Sequence, residues 1–173
     1  MSDRRSFLRG ASVLMGHAAF GHVMSAFAAS PRKATFFTHT EMDTLRTLVD
    51  VILPATDSPA ASAADTHYFI DLAVAACASA EAQKTVRAGL KQLAEKKIAQ
   101  LAPADQVTLL ETRAAADMPL GYDQSFFKIL KDYTLTGYFL SEVGATQALA
   151  YERVPGGFQG DLPLAANQKA WAI

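Results

Sequence analysis

The 173-residue chain has one cysteine, Cys77, one tryptophan, Trp171, and no apolar run of membrane-spanning length. A single thiol excludes an internal disulfide and any four-thiolate zinc or iron–sulfur centre within the chain. An excess of either charge is also missing: 16 Lys and Arg against 17 Asp and Glu leave a formal charge of −1. A polyanion has nothing to hold, so nucleic acid is set aside as a partner. The chain lacks the Gly-x-Gly-x-x-Gly turn of dinucleotide sites, the Gly-x-x-x-x-Gly-Lys-Ser/Thr phosphate cradle and the Cys-x-x-Cys-His haem attachment. No His-x-x-x-His or Glu-x-x-His spacing offers a metal site on a helix. What is present is an ordinary globular composition, half hydrophobic and 19% charged. A chain of this size buries about two thirds of its unfolded surface, enough for one self-sufficient domain.

The first residues form a three-part export signal: a basic start with Arg4 and Arg5, a weakly apolar stretch from Gly10 to Met24, and Ala26-Phe27-Ala28 as a small-residue cleavage site. Arg4-Arg5-Ser6-Phe7-Leu8-Arg9 resembles a twin-arginine signal, with Phe7 and Leu8 in the apolar positions and Asp3 where Ser or Thr is commoner. Gly, Ala, His17 and His22 make the middle section less greasy than a general secretory signal, and too short and polar for a stable span. The expected division is therefore 1–28 as signal and 29–173 as a single domain in the periplasm. Cleavage would remove three arginines and one aspartate, leaving a more acidic remainder with His39 and His67 as its histidines.

Beyond the signal, periodicity predicts helices. Met42, Leu45, Leu48, Val49 and Ile52 recur at three- and four-residue spacing, with Thr40 placed to cap and Pro54 to stop the helix. The stretch from Ala55 to Pro59 reads as a fixed non-helical loop. An Ala-rich helix with Asp65 as its cap follows, then an amphipathic one over 81–101, a short one over 105–116, and a longer one from Asp123 toward Leu140. A short helix from Gly144 to about Tyr151 gives way to an extended tail, whose Phe158 and Trp171 either pack back on the bundle or contact another protein. No stretch shows sustained apolar/polar alternation. The expectation is all-α: a compact bundle of about five helices with an extended, irregular C-terminal tail.

Few residues suggest chemistry. His67 with Asp65 and Asp71 could form a base with an orienting carboxylate, but a histidine in a helix's first turn is better read as structural. Cys77, flanked by alanines with no basic neighbour, reads as a buried, inert thiol. Thr56 and Asp57 are placed to satisfy loop backbone groups. No catalytic, cofactor-binding or metal-binding residue is assigned to this chain. The twin-arginine route carries folded proteins, often cofactor enzymes, so a chain without its own cofactor suggests that the signal also serves a partner that folds first and is carried out with it.

The sequence resembles the gluconate 2-dehydrogenase subunit 3 family, the small or gamma subunit of membrane-associated FAD-dependent sugar and sugar-acid dehydrogenases. The resemblance rests on Phe37-Thr38 with Glu41 and Leu45, on the block from Leu48 through Ile52-Leu53-Pro54-Ala55-Thr56-Asp57-Ser58-Pro59 to Ala61, and on Phe69-Ile70-Asp71. It resumes at Leu135-Thr136-Gly137-Tyr138-Phe139-Leu140-Ser141-Glu142-Val143-Gly144 and at Tyr151 with Pro155-Gly156. The resemblance implies a non-catalytic subunit that carries the signal and supports folding and export of a large FAD subunit of the glucose–methanol–choline oxidoreductase type. It further implies a multihaem cytochrome c (haem c) subunit, passage through the twin-arginine translocase, and membrane association only through the complex. Relatives carry a cysteine in the tail where this chain has Gly160-Asp161, so docking here is expected to be noncovalent. The expected partner interface comprises Pro54, Thr56, Asp57, Pro59, Tyr138, Phe139, Glu142, Tyr151, Pro155 and Phe158, where prolines, small residues and aromatics concentrate. A free periplasmic helical protein holding a small apolar ligand is the alternative.

Overall fold

The computed structural model describes residues 33–150 together with Pro163, Ala166 and 168–171. Among the described residues the fold is all-α, with five α-helices: α1 His39–Ile52, α2 Thr66–Cys77, α3 Ala80–Glu95, α4 Pro103–Asp117 and α5 Phe126–Phe139. No strand is present among them, only an isolated bridge between Ala150 and Trp171. Helix α5 packs against all four others, and α1 also packs on α2 and α3. The core follows from this: Leu45, Leu48 and Val49 of α1, Phe69, Ile70 and Val74 of α2, Val86 and Leu90 of α3, and Phe126, Ile129 and Leu130 of α5 are all essentially inaccessible.

Helix ends depart from the sequence expectation in instructive ways. The α1 cap is Thr38, not Thr40: its N–H donates to Glu41 Oε2 at 2.8 Å while Glu41 N–H donates back to its hydroxyl at 3.4 Å. This reciprocal capping box satisfies two donors, whereas Thr40 has the shorter Asp43, not Glu or Gln, three residues on. The 81–101 segment does not run as one helix. Lys97 takes a left-handed conformation at φ 54°, closing α3 after Glu95, and a 3-10 turn then buries Ile98. Pro103 opens α4 from its first position, where the missing N–H costs nothing, two residues before the expected start at Asp105. Ser125, accepting from Lys128 N–H at 3.2 Å, caps α5 in place of Asp123. Asp65 precedes α2 as expected but sits at φ 56° and does not cap through its side chain. Cys77 is exposed rather than buried, because the last turn of α2 leaves the core, although residual burial still raises its thiol pKa.

Two buried acids tie segments that are distant in sequence. Asp71, 1% exposed, accepts from the backbone N–H groups of Thr35 (2.7 Å), Phe36 (3.0 Å) and Phe37 (2.7 Å) and from the Thr35 hydroxyl (2.9 Å). Three converging amides form an anion-binding nest, so the carboxylate is held without a cation. Arg87 completes the clamp, donating to the Phe36 carbonyl at 2.6 Å with its guanidinium 4.2 Å from the Phe36 ring centre. Asp117, also 1% exposed, accepts from Phe127 N–H at 2.8 Å in the first turn of α5. Arg113 lies 3.1 Å from Asp117, a charge–charge contact without hydrogen-bond alignment.

His67 is 7% exposed, and burial lowers its pKa; Asp65 opposes that shift and Arg46 adds to it. The unfolded chain therefore binds the proton more readily, and stability falls as pH drops below 6.5, levelling off below the folded-state value. Urea midpoints should decline between about pH 7.5 and 5.5, and His67→Gln should flatten that slope. An unchanged slope would remove His67 as its source.

Candidate partner interface

The two sequence blocks that carry the family resemblance most specifically meet in space at one end of the bundle. After α1 the chain turns out through Leu53–Ala60 and re-enters a 3-10 turn, Ala61–Ala64, whose Ala61 N–H returns to the Leu53 carbonyl at 3.1 Å. Asp50, one turn before the helix end, accepts from both the N–H and the hydroxyl of Ser62 at 2.7 Å, bridging the mouth of the loop. Within the loop, Thr56 N–H donates to the Ser58 carbonyl at 3.0 Å and the Thr56 hydroxyl to Asp57 at 2.9 Å. A proline-flanked loop closed at its mouth and braced inside is held in one shape.

The brace from the far side is Tyr138. Its ring is 2% exposed and its hydroxyl donates to the Pro59 carbonyl at 2.7 Å, across 79 residues of sequence. Gly137 beside it has no side chain because the Phe69 ring occupies the space, with a Cβ there falling 2.4 Å from a ring carbon. Below α5, Ser141 donates to the Tyr138 carbonyl at 2.6 Å and accepts from Gly144 N–H at 3.0 Å. A Cβ on Gly144 would lie 2.0 Å from the Tyr138 carbonyl oxygen, so the chain can double back only with glycine here. It then enters a single π-helical turn, Gly144–Ala148, much shorter than the expected helix to Tyr151. The Ala150 N–H donates to the Ala170 carbonyl at 2.8 Å and Lys169 donates to the Gln147 carbonyl, so the end of the tail lies against this turn.

The sequence-predicted interface residues separate into three groups. Pro54, Thr56, Asp57 and Glu142 are exposed, while Pro59 and Phe139 are half-buried. Tyr138 is not on the surface: it supports the loop from within, and Phe139 packs edge-on against it at 5.2 Å between ring centres. Tyr151, Pro155 and Phe158, together with the signal residues Arg4, Arg5, Phe7 and Leu8 and the cleavage residues Ala26 and Ala28, lie outside the described residues. Two large apolar side chains flank the same segment: Leu140 is 50% exposed and Trp171 is 56% exposed. The backbone of Trp171 is bridged to Ala150, but its ring stays open to solvent and does not pack on the bundle. Sequence reading does not single out Asp50 and Ser62, which lie twelve positions apart on either side of the loop.

The bond between Tyr138 and Pro59 makes a direct prediction. Tyr138→Phe leaves the Pro59 carbonyl without its donor and should cost about 1 kcal/mol in urea unfolding. A loss below a few tenths of a kcal/mol would mean that the loop is held by Asp50 alone.

The described residues thus form a five-helix bundle with a braced loop at one end. The model of the family described as gluconate 2-dehydrogenase subunit 3 matches residues 39–156, most of the chain, and the chain belongs to that family. It is thereby an accessory-type subunit of a dehydrogenase complex. No curated protein and no solved structure matches it.

Proposed function

We propose that this chain is the non-catalytic small subunit of a periplasmic FAD-dependent dehydrogenase acting on a sugar or sugar acid, and that its N-terminal signal exports the flavin subunit docked to it. The reading is supported chiefly by one observation: part-buried hydrogen bonds, from Ser62 to Asp50 and from Tyr138 to Pro59, fix the 53–60 loop while Pro54, Ala55, Thr56 and Asp57 face solvent. Holding exposed residues rigidly reduces the entropy lost when a partner binds them. Leu140 and Glu142 extend this surface in the proposal, and Trp171 adds an aromatic anchor of the kind that dominates interface energetics.

The described residues do not fit a dinucleotide cofactor. Their glycines stand singly and none has positive φ, and the spaces at Gly137 and Gly144 are filled by the Phe69 ring and the Tyr138 carbonyl. FAD is therefore assigned to the large subunit and haem c to a cytochrome subunit, with the membrane reached through the complex. Replacing both Arg4 and Arg5 by Lys tests the export role. Fractionation should find this chain and the flavin subunit retained together in the cytoplasm, at least about tenfold depleted from the periplasm. Normal export of the flavin subunit would refute the shared signal.

A further inference from the structure

The outer face of α5 carries a second feature, which rests on the subunit reading above and extends it. Asp132, Thr136 and Leu140 follow one another at four-residue spacing, so they share one stripe of the helix, about 12 Å long. Beside that stripe runs a groove of about 460 Å³ lined by Tyr122, Asp132, Tyr133, Leu135 and Thr136. Its lining is mainly aromatic and aliphatic, and Asp132 is its one charged side chain among the described residues. Leu140, 50% exposed, lies one turn beyond Thr136, so the groove is continuous with the proposed interface at the end of α5.

Floor and wall are both held in place. The floor is α5, which packs against all four other helices. Tyr122 opens a 3-10 turn, Tyr122–Gln124, that is tied down from two other segments. Ser125 N–H donates to the Tyr122 carbonyl at 3.0 Å, and the Thr85 and Ser79 hydroxyls donate to the carbonyl and carboxylate of Asp123, each at 2.8 Å. Tyr122 nevertheless stays 46% exposed, an aromatic side chain fixed before any partner arrives, which lowers the entropy lost on contact. Its hydroxyl donates to Asp132, and burial together with that carboxylate pushes the phenol well above its ordinary pKa. Among the described residues Asp132 forms no ion pair, and a carboxylate that accepts one neutral hydroxyl has lone pairs to spare for a cation. An apolar groove with a lone anion at its edge is complementary to an apolar side chain with a cation beside it.

We propose that this groove is part of the docking surface, occupied by a segment of the flavin subunit that sets an apolar side chain among Tyr122, Tyr133 and Leu135 and a Lys or Arg against Asp132. The test measures binding of the co-expressed flavin subunit by the full-length chain and by three variants, with Leu140→Arg as the reference for the α5 end itself. Thr136→Arg fills the groove, and its i,i+4 spacing from Asp132 suits the helix, so Tm should stay within about 2 °C. It should weaken binding about tenfold. Asp132→Lys, at an exposed position, should do the same by setting like charges against each other. If Leu140→Arg weakens binding while both groove variants bind like the parent, the contact stops at the end of α5; the groove proposal is overturned and the subunit reading stands. Loss of binding in Thr136→Arg but not in Asp132→Lys would overturn the partner's cation. A dimer of the isolated chain that Thr136→Arg dissolves would give the groove to a second copy and overturn the proposal. A parent chain that recovers no flavoprotein would overturn the groove and the subunit reading together.

Discussion

Asp71→Ala should lower Tm by roughly 10 °C, the largest effect expected from any single substitution in the bundle. Removing the carboxylate breaks its charge-assisted bonds to the amides of Thr35, Phe36 and Phe37 and leaves the buried Phe37 amide without an acceptor, a loss of about 3 kcal/mol. For a domain of this size each kcal/mol moves Tm by about 3 °C. The loss should also be local: amide exchange at residues 35–37 should accelerate far more than exchange in α3 or α5. Asp71→Asn should fall between, since its carbonyl keeps one acceptor while its amide group faces donors. A Tm unchanged within about 1 °C in Asp71→Ala would mean that Arg87 and the packing of Phe37 hold the segment unaided.

In the proposed complex, Leu140→Arg should abolish most association with the flavin subunit while leaving the isolated fold intact. The side chain is 50% exposed at the end of α5, so a charge there keeps its water in the free subunit. Buried in an apolar interface without a partner it would lose that water, and binding should weaken about 100-fold, close to 3 kcal/mol. Tm should stay within about 1–2 °C of the parent, which separates this outcome from misfolding. Undiminished recovery of the partner would take the α5 end out of the interface and leave the Pro54–Asp57 loop as the surface to test.

The contrast between Asp71 and Leu140 shows where sequence reasoning was sufficient. Helical periodicity located all five helices, because the 3.6-residue stripe of apolar side chains is a local signal that the core then uses directly. Boundaries were less legible. Thr38 and Thr40 compete for one cap, each with an acid three residues on, and the longer side chain of Glu41 is the one that closes the box. At Lys97 a charged residue does what glycine usually does, for the sake of burying Ile98, and nothing in Glu95-Lys96-Lys97 announces it. The two motif blocks were recognisable individually, but their meeting through Tyr138 and Pro59 spans 79 residues. Tyr138 was accordingly placed among the surface residues, though it is a buried brace. Asp71 had a usable signal: an acid among Phe69, Ile70, Ala73 and Val74 on an apolar helix has to find hydrogen-bond donors inside the protein. Where those donors lie, 34 to 36 residues earlier, is a property of the packed fold.

Native affinity purification of this chain from the periplasm, with an absorbance spectrum and mass analysis of what accompanies it, tests the subunit assignment most directly. A yellow complex containing a large flavoprotein, with haem bands where the cytochrome is retained, is the expected result. A colourless chain recovered alone, from cells shown to express the flavin subunit, would contradict it.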